Sequence, residues 1–201
     1  MVIGKKVLLA VSLLLLSSCL WADEDHKKDK KENVTIVREL VFYDVDGMNT
    51  GDIRTSINKN RLPSKHDAWT EWQIFFGYRY ERENEKYKLA SFTVEVKTKI
   101  ILPRLKNIDK KPQPIQVEWK RYTDLLKMHE EGHVDIGIAC GNEVHKWVMK
   151  KVVLTDTESE MKNQIGKIRR AILRKYQSIE YKYDKDTDHG RTQGARLRKV
   201  N

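Results

Sequence analysis

The sequence predicts an α+β protein in which a strand-rich N-terminal half, expected to be antiparallel, precedes two long helices. Apolar residues alternate with a period of two before Pro103 and recur every three or four residues after Pro114. The chain has 201 residues, enough to bury one core, and 39% of them are hydrophobic. We therefore expect a single domain over residues 34–201. A signal peptide at residues 1–18 and an anchoring segment at 19–33 are expected to precede it.

The start of the chain is typical of a secretory signal peptide. Two lysines precede an uncharged apolar run at residues 7–16, and the small residues Ser17 and Ser18 follow. This run is too short to cross a bilayer as a helix of the mature protein. We therefore expect residues 1–18 to direct export and then to be removed.

The segment from Leu16 to Cys19 resembles the bacterial lipobox, in which the cysteine is acylated and becomes the new N-terminus. The alternative is ordinary cleavage after Ala22, for which Leu20 and Trp21 form a poor site. We expect Cys19 to carry a lipid that anchors the protein to the membrane of the bacterial envelope. Because Leu20 rather than Asp follows the cysteine, we expect the periplasmic face of the outer membrane.

Which binding partner the high positive charge indicates depends on whether the protein is exported. The formal net charge is +10, and removal of residues 1–18 with their two lysines leaves +8. An exported protein rarely meets chromosomal DNA, so we expect no nucleic-acid partner, and an anionic envelope polymer suits the charge better. Residues 22–33 are almost balanced in charge and lack apolar periodicity, which is typical of a flexible tether.

The domain is predicted to begin with a strand and a short helix. Residues 34–45 are rich in β-branched and aromatic side chains, which favours a strand. Gly47 ends this strand, and Ile53 and Ile57 then mark a short helix near residues 50–60.

Strict apolar alternation predicts two further strands, over residues 72–80 and 92–100. We expect the second of them to end at Pro103 and the charged stretch 81–86 between them to form a hairpin turn. The strand that ends at Pro103 could then bind an extended peptide at a sheet edge.

Two long helices are predicted next, the first around residues 125–147 and the second over 156–180. Thr155 and Glu158 have the spacing of a capping box, which favours the start of the second helix there. The first helix contains three glycines, each of which costs about 1 kcal/mol relative to Ala, so we expect another backbone to approach it closely. These glycines are Gly132, Gly137 and Gly141.

The first long helix contains an HExxH motif, His129-Glu130-Glu131-Gly132-His133. Histidines four positions apart lie on one face of a helix with Cβ atoms about 5–6 Å apart, so both imidazoles can bind one Zn²⁺. In this motif the glutamate takes a proton from the attacking water and does not bind the metal. The motif therefore predicts a catalytic zinc site with Glu130 as general base.

A catalytic zinc site needs a third protein ligand. His145 lies about 18 Å along the helix from His133, which is too far. His189 follows the second predicted helix in the turn-rich segment 183–190, where the chain can fold back onto the first helix. Asp184 in the same segment is the alternative ligand, or a carboxylate that orients a histidine.

Several short motifs follow one another at characteristic spacing through the predicted domain. They are Tyr43-Asp44-Val45-Asp46-Gly47, Thr70-Glu71-Trp72, Leu102-Pro103, HEEGH at 129–133, and Tyr183-Asp184…Thr187…His189-Gly190…Gln193-Gly194. In these motifs the chain resembles a bacterial family of uncharacterised exported proteins described as predicted secreted zinc-dependent proteases. The resemblance implies a zincin-like metallopeptidase and a functional role for the segment around His189. Tyr183, from its place in that segment, is a candidate for stabilising the oxyanion.

The sequence thus favours an envelope-anchored zinc-dependent metallopeptidase that hydrolyses amide bonds in a peptide or protein. A metallohydrolase acting on peptidoglycan peptides is an alternative use of the same site. A non-enzymatic zinc-binding or envelope-binding lipoprotein is the other alternative, and Glu130 argues against it because structural zinc needs no base. The predicted site comprises Glu130 and Tyr183 as catalytic residues and His129, His133 and His189 as Zn²⁺ ligands, with Asp184 as the alternative ligand.

Overall fold

The computed structural model describes residues 27–31, 33–61 and 66–200. The predicted signal peptide, Cys19 and the beginning of the predicted tether lie outside the described residues. Among the helices in these ranges, none combines the length and the apolar character needed to cross a membrane.

A single mixed sheet has five strands: Lys27–Lys31 (β1), Val34–Val45 (β2), Trp69–Glu83 (β3), Lys86–Leu105 (β4) and Leu154–Thr155 (β5). Their order is β1-β2-β4-β3, and β5 pairs with β4. The three strands predicted within the domain are confirmed, and so is the α+β class. The predicted hairpin is also present, since β3 and β4 are joined at Asn84 and Glu85, both in the left-handed conformation that such tight turns require.

The sheet is not purely antiparallel as predicted, because β2 and β4 run parallel. Val34 pairs with Val94, and the register continues unbroken to Val45 and Leu105. β3 pairs antiparallel with the opposite side of β4, so β2 and β3 are separated by the strand that follows them both. Apolar alternation predicts that a segment is a strand but contains no information about the direction of its neighbour.

β4 passes through Pro103 instead of ending there. The Lys106 N–H donates to the Val45 carbonyl, so alternate amides face β2 and the ring nitrogen of Pro103 faces away from it. β3 begins at Trp69, opposite Ile101, and therefore does not reach Pro103. β4 is an internal strand, so the predicted peptide-binding edge is wrong. In the described sheet the edge on this side is β3.

Part of the predicted flexible tether is a strand. β1 pairs antiparallel with β2, from Lys27 opposite Arg38 to Lys31 opposite Val34. Strands pair through main-chain hydrogen bonds, so a strand without apolar side chains has no apolar periodicity by which the sequence could predict it.

Three α-helices complete the fold: Thr50–Asn60 (α1), Gln113–Lys151 (α2) and Glu158–Thr187 (α3). α1 matches its prediction, whereas α2 and α3 are longer than predicted. The hydroxyl of Thr157 accepts a hydrogen bond from the Glu160 N–H, so α3 starts two residues later than the predicted capping box at Thr155 and Glu158.

Two apolar clusters lie along α2. Core A contains buried residues of β2, α1 and the first half of α2, among them Tyr43, Ile53, Ile57, Tyr122 and Leu126. Core B contains buried residues of β4, the second half of α2 and α3, among them Val96, Cys140, Val144, Met161 and Ile165. The HEEGH motif lies between Leu126 and Val134, two residues of α2 that both belong to core A.

The glycines of α2 mark close contacts with side chains, not with a second backbone as predicted. A Cβ built at Gly137 would lie 2.7 Å from Cγ of Trp72 on β3. One built at Gly141 would collide with a valine of β4, and one built at Gly132 would collide with the Tyr183 hydroxyl. The glycines therefore let the sheet and α3 come close to α2.

Candidate functional site

The HEEGH motif lies in the middle of α2, and its polar side chains are buried. His129, Glu130 and His133 are only 3%, 4% and 7% exposed. Buried polar groups require partners, and a free energy penalty follows when they lack them. The partners here come from three separate places: α3, the start of β3, and the C-terminal segment.

A carboxylate of α3 meets both imidazoles. Nε2 of His133 lies 3.1 Å from Oδ1 of Asp184, and Nε2 of His129 lies 3.3 Å from the same oxygen. The two Nε2 atoms are 3.3 Å apart. Because α3 continues past its predicted end at residue 180, Asp184 is held on a helix and not in a loop.

Each histidine also has an oxygen atom beside its other ring nitrogen. Nδ1 of His129 is 2.9 Å from Oε1 of Gln193, and Nδ1 of His133 is 3.3 Å from Oε2 of Glu180. Glu180 is itself fixed by the indole N–H of Trp72, which donates to Oε1 at 2.8 Å. Oxygen partners at Nδ1 favour a proton there and leave Nε2 to bind a metal.

Charges within this cluster stabilise one another. Burial opposes a proton on His133, but the carboxylates of Asp184 and Glu180 outweigh it and raise the pKa of His133 to about 10. Burial likewise opposes ionisation of Asp184, yet the two imidazoles hold the pKa of Asp184 well below its usual range. The cluster is thus arranged to hold positive charge between its carboxylates.

These donor atoms fit a divalent transition metal. The ligand atoms of His129, His133 and Asp184 all lie within 4.8 Å of one another, so these residues could hold a metal ion. Two imidazole nitrogens and one carboxylate oxygen provide three ligands, the number found at catalytic zinc sites. The oxygen atoms beside both Nδ1 positions are the usual surroundings of metal-binding histidines.

Glu130 lies beside these three residues and is not one of them. Its Oε2 accepts a 2.7 Å hydrogen bond from the hydroxyl of Thr70 on β3. Burial raises the pKa of Glu130, an effect that Thr70 and the two histidines partly offset. A buried carboxylate with a raised pKa is suited to accept a proton and return it.

Tyr183 contacts the site through its ring, while its hydroxyl binds the backbone of α2. The ring stacks on His129 with centroids 5.0 Å apart and planes 10° apart. The hydroxyl donates to the main-chain oxygen of His129 at 3.1 Å and accepts from the amide of Gln193 at 3.3 Å. Through these contacts Tyr183 positions His129, and its role in stabilising the oxyanion stays a prediction.

His189, predicted as the third ligand, lies at the outer side of Asp184. Its Nδ1 is 3.4 Å from Oδ1 of Asp184, and its ring centroid is 4.4 Å from that of His66. Asp188, His189 and Gly190 all have positive φ angles, which turn the chain back toward α2 as predicted. The group of close ligand atoms contains Asp184, the alternative to His189.

An ion pair on the first half of α2 binds the C-terminal segment. Arg121 donates two hydrogen bonds to Glu118, at 2.8 and 2.7 Å. It also donates to two carbonyl oxygens of residues 194–196, at 3.0 and 2.6 Å, and Glu118 accepts from the Arg198 N–H at 2.6 Å. The clamped segment begins directly after Gln193, so the clamp also holds the Gln193 amide against the first histidine of the motif.

A cleft of about 720 Å³ reaches the cluster. Its lining comes from α1, the start of β3, α2, α3 and the C-terminal segment, and it includes His129, Glu130, His133 and Asp184. The volume lies within the range of sites that bind small molecules or short peptides.

One protein family matches residues 40–190, a range that contains HEEGH, Asp184 and His189. The chain belongs to the DUF922 family. This family is described as bacterial proteins of unknown function. No curated protein and no solved structure matches this DUF922 protein.

Sequence reasoning missed four polar residues that complete the site of this DUF922 protein: Thr70, Trp72, Glu180 and Gln193. They lie far from HEEGH in the chain and reach it only through tertiary contacts. Thr70, Trp72 and Gln193 stand within the short motifs that carried the family resemblance, so that signal could have found them. For Glu180 the sequence contains no comparable signal.

Proposed function

We propose that this protein is a zinc-dependent hydrolase of zincin type that cleaves amide bonds in peptides or proteins. The observation that carries the proposal is the convergence of His129, His133 and Asp184, with the buried carboxylate of Glu130 beside them. Three ligands with an adjacent base are typical of a catalytic zinc site, whereas structural zinc is usually bound by four protein ligands.

A Zn²⁺ ion held by these three residues would polarise the scissile carbonyl and lower the pKa of water to about 7. Glu130, fixed at Oε2 by Thr70, accepts a proton from the attacking water and returns it to the leaving amine nitrogen. Gln193 and Glu180 hold the imidazole rings in orientation, so the reacting groups need little rearrangement.

The position of β3 supports an extended peptide as substrate. β3 is the edge strand of the described sheet on this side, and an extended peptide can add to such an edge through main-chain hydrogen bonds. Thr70 near the start of β3 contacts Glu130, so a peptide paired there would pass close to the base.

Metal analysis and one substitution test the proposal on the mature protein. We expect about one zinc per chain, and we expect Glu130→Gln to keep the zinc while losing hydrolysis of a peptide mixture by at least about a hundredfold. Glu131→Gln is the matched control, because this neighbouring carboxylate pairs with Arg38 at 2.9 Å and is not part of the cluster. Absence of bound metal, or full activity of the Glu130 variant, would contradict the proposal.

We further propose that the protein acts at the bacterial envelope, on the strength of residues 1–19 alone. The mass of the mature N-terminal peptide tests this. A diacylated Cys19 is expected, and an unmodified N-terminus after Ala22 would show ordinary secretion instead.

A further inference from the structure

Three aromatic rings form a row in the lining of the cleft beside the proposed metal site. The ring of His66 lies 6.3 Å from that of Trp69, centroid to centroid, with the two planes 22° apart. The ring of His66 also lies 4.4 Å from the ring of His189. All three side chains line the cleft, and none of them belongs to the group of close ligand atoms. We call Trp69, His66 and His189 the ring row.

The ring row connects the proposed metal site to the start of β3. At one end, Nδ1 of His189 is 3.4 Å from Oδ1 of Asp184. At the other end, Trp69 is the first residue of β3 and directly precedes Thr70, whose hydroxyl donates to Glu130. An extended chain advances about 3.3 Å per residue, so the row spans no more than about three residues of a bound peptide.

The backbone that carries the ring row is held in place from both sides. The Asp67 carbonyl accepts from the Tyr43 hydroxyl at 2.6 Å, and the Asp67 carboxylate accepts from the Tyr122 hydroxyl at 2.7 Å. The His189 N–H donates to the Asp184 carbonyl at 3.0 Å, which holds His189 at a φ of 52°, a value uncommon for a residue other than glycine. A surface that is fixed before its ligand arrives loses little conformational freedom on binding.

The two outer rings of the row are accessible from the cleft. Trp69 is 37% exposed, and the side chain of His189 is 48% exposed. The indole N–H of Trp69 donates to Oε1 of Glu71 at 3.2 Å, so the polar atom of this side chain already has a partner. The indole therefore offers a ligand mainly its apolar ring. Exposed indoles with this character are enriched where proteins bind partners.

We propose that the ring row binds aromatic side chains of the peptide substrate, within about three residues of the scissile amide. This inference rests on the proposed hydrolase function and adds the substrate class to it. Stacked and edge-to-face contacts between aromatic rings contribute more than burial of the same apolar area, so Phe, Tyr and Trp are favoured over an aliphatic side chain. The edge of β3 next to the row offers main-chain hydrogen bonds, which favour an extended peptide as the carrier of these rings.

Three single variants of the mature protein test the proposal. Trp69→Ala removes the outermost ring of the row, whereas Trp69→Phe keeps an aromatic ring at the same position. Tyr181→Ala is the matched control, because it removes an aromatic ring that is 73% exposed on α3 and does not line the cleft. The zinc content of each variant is measured first. We expect it to equal that of the parent protein, because neither Trp69 nor Tyr181 is a proposed ligand.

Binding is measured by fluorescence anisotropy on zinc-loaded protein that also carries Glu130→Gln, so that the probes are not cleaved. The probes are fluorescein-labelled decapeptides of Ser and Gly with Phe at every third position, and the same peptides with Leu in place of Phe. We expect the Phe peptide to bind about fivefold more tightly than the Leu peptide. Trp69→Ala should lose this preference, whereas Trp69→Phe and Tyr181→Ala should keep it.

Equal binding of the Phe and Leu peptides by the parent protein would overturn the proposal. An unchanged preference in Trp69→Ala, or an equal loss in Tyr181→Ala, would also overturn it. So would stronger competition by an oligosaccharide of N-acetylglucosamine than by the unlabelled Phe peptide, since the rings would then bind a glycan.

A cleavage profile on a mixed peptide library separates this inference from the function beneath it. We expect cleaved bonds to have an aromatic residue within about three positions. Cleavage without this preference defeats the inference alone. Absence of any cleavage by the zinc-loaded protein defeats the proposed function, and the binding ratio of the Phe and Leu peptides then still judges the ring row.

Discussion

α2 contacts α3 along two stretches that are built in opposite ways. In the second half of α2, the buried residues Cys140 and Val144 share core B with Met161 and Ile165 of α3. In the middle of the helix the buried positions are His129, Glu130 and His133, and the partner from α3 is Asp184. One pair of helices thus encloses an apolar stretch and a polar one.

The apolar stretch of this contact stabilises the fold, whereas the polar stretch forms the candidate site. Apolar burial stabilises core B without specific partners, at roughly 25 cal/mol per Å² of surface removed from water. The polar stretch depends on hydrogen-bond and ion-pair partners from distant parts of the chain, and Nδ1 of His133 has only the nearby charge of Glu180 and no hydrogen bond among the described residues. A protein that needed only stability would gain more from apolar residues here, so the polar stretch points to function.

The largest expected effects are on zinc affinity in Asp184→Ala and on the free energy of unfolding in Met161→Ala. Asp184→Ala removes a ligand and should weaken zinc binding by more than the roughly 10–100-fold effect of losing an outer partner. Met161→Ala leaves a cavity in core B and should lower the free energy of unfolding by about 2–5 kcal/mol with zinc affinity unchanged. Competition with a chromophoric chelator and urea unfolding measure the two quantities. Retention of zinc by Asp184→Ala, with loss in His189→Ala, would make His189 the ligand.

Two glycines allow the same comparison at single positions. A Cβ at Gly132 would collide with the Tyr183 hydroxyl, so Gly132→Ala should displace Tyr183 and cost about 1–3 kcal/mol in unfolding free energy, with weaker zinc binding. Gly166→Ala on α3 meets only the flexible guanidinium of Arg170, at 3.2 Å, and should stabilise the helix by about 0.5–1 kcal/mol. Thermal unfolding with and without zinc measures both. Equal shifts in the two variants would show that the close contact at Gly132 has no role.

The clamp on the C-terminal segment should influence the metal site from a distance. Arg121→Ala releases the segment that follows Gln193 and should weaken zinc binding about tenfold, the lower end of the effect of an outer partner. Lys120→Ala is the control, because among the described residues Lys120 forms its ion pair with the exposed Asp124, one turn along the helix. A chelator titration compares them. Unchanged zinc affinity in the Arg121 variant would mean that Gln193 is held without the clamp.

The metal-free protein is expected to have a pH-dependent stability that zinc removes. The pKa of His133 is raised to about 10, so in EDTA-treated protein its proton stabilises the fold fully below about pH 6.5, and this contribution is lost as the pH rises through about 10. Zinc displaces that proton, so the zinc-loaded protein should lack this decline and zinc uptake at pH 8 should release about one proton. Urea unfolding at several pH values, with His133→Gln as reference, measures the contribution. Parallel curves for the parent and the variant would contradict it.

The elements were predictable from sequence because each has a local signal. Period-two alternation placed β3 and β4, and spacing of three and four placed α2 with HEEGH on it. The end of α3 was not predictable, since residues 181–187 are polar and turn-like, and they stay helical where Tyr183 and Asp184 contact α2. The same reason explains Pro103, which the strand tolerates only because β3 does not extend that far.

The sequence by itself determined the two histidines and the glutamate of the site, because the 3.6-residue turn of a helix fixes their relation without help from the rest of the chain. Only the tertiary structure decided what surrounds them. Asp184 instead of His189 at the two Nε2 atoms and Thr70 on Glu130 both follow from packing of α3 and β3 against α2. Contacts between residues 50 to 100 positions apart arise from three-dimensional packing, which has no period or spacing along the chain.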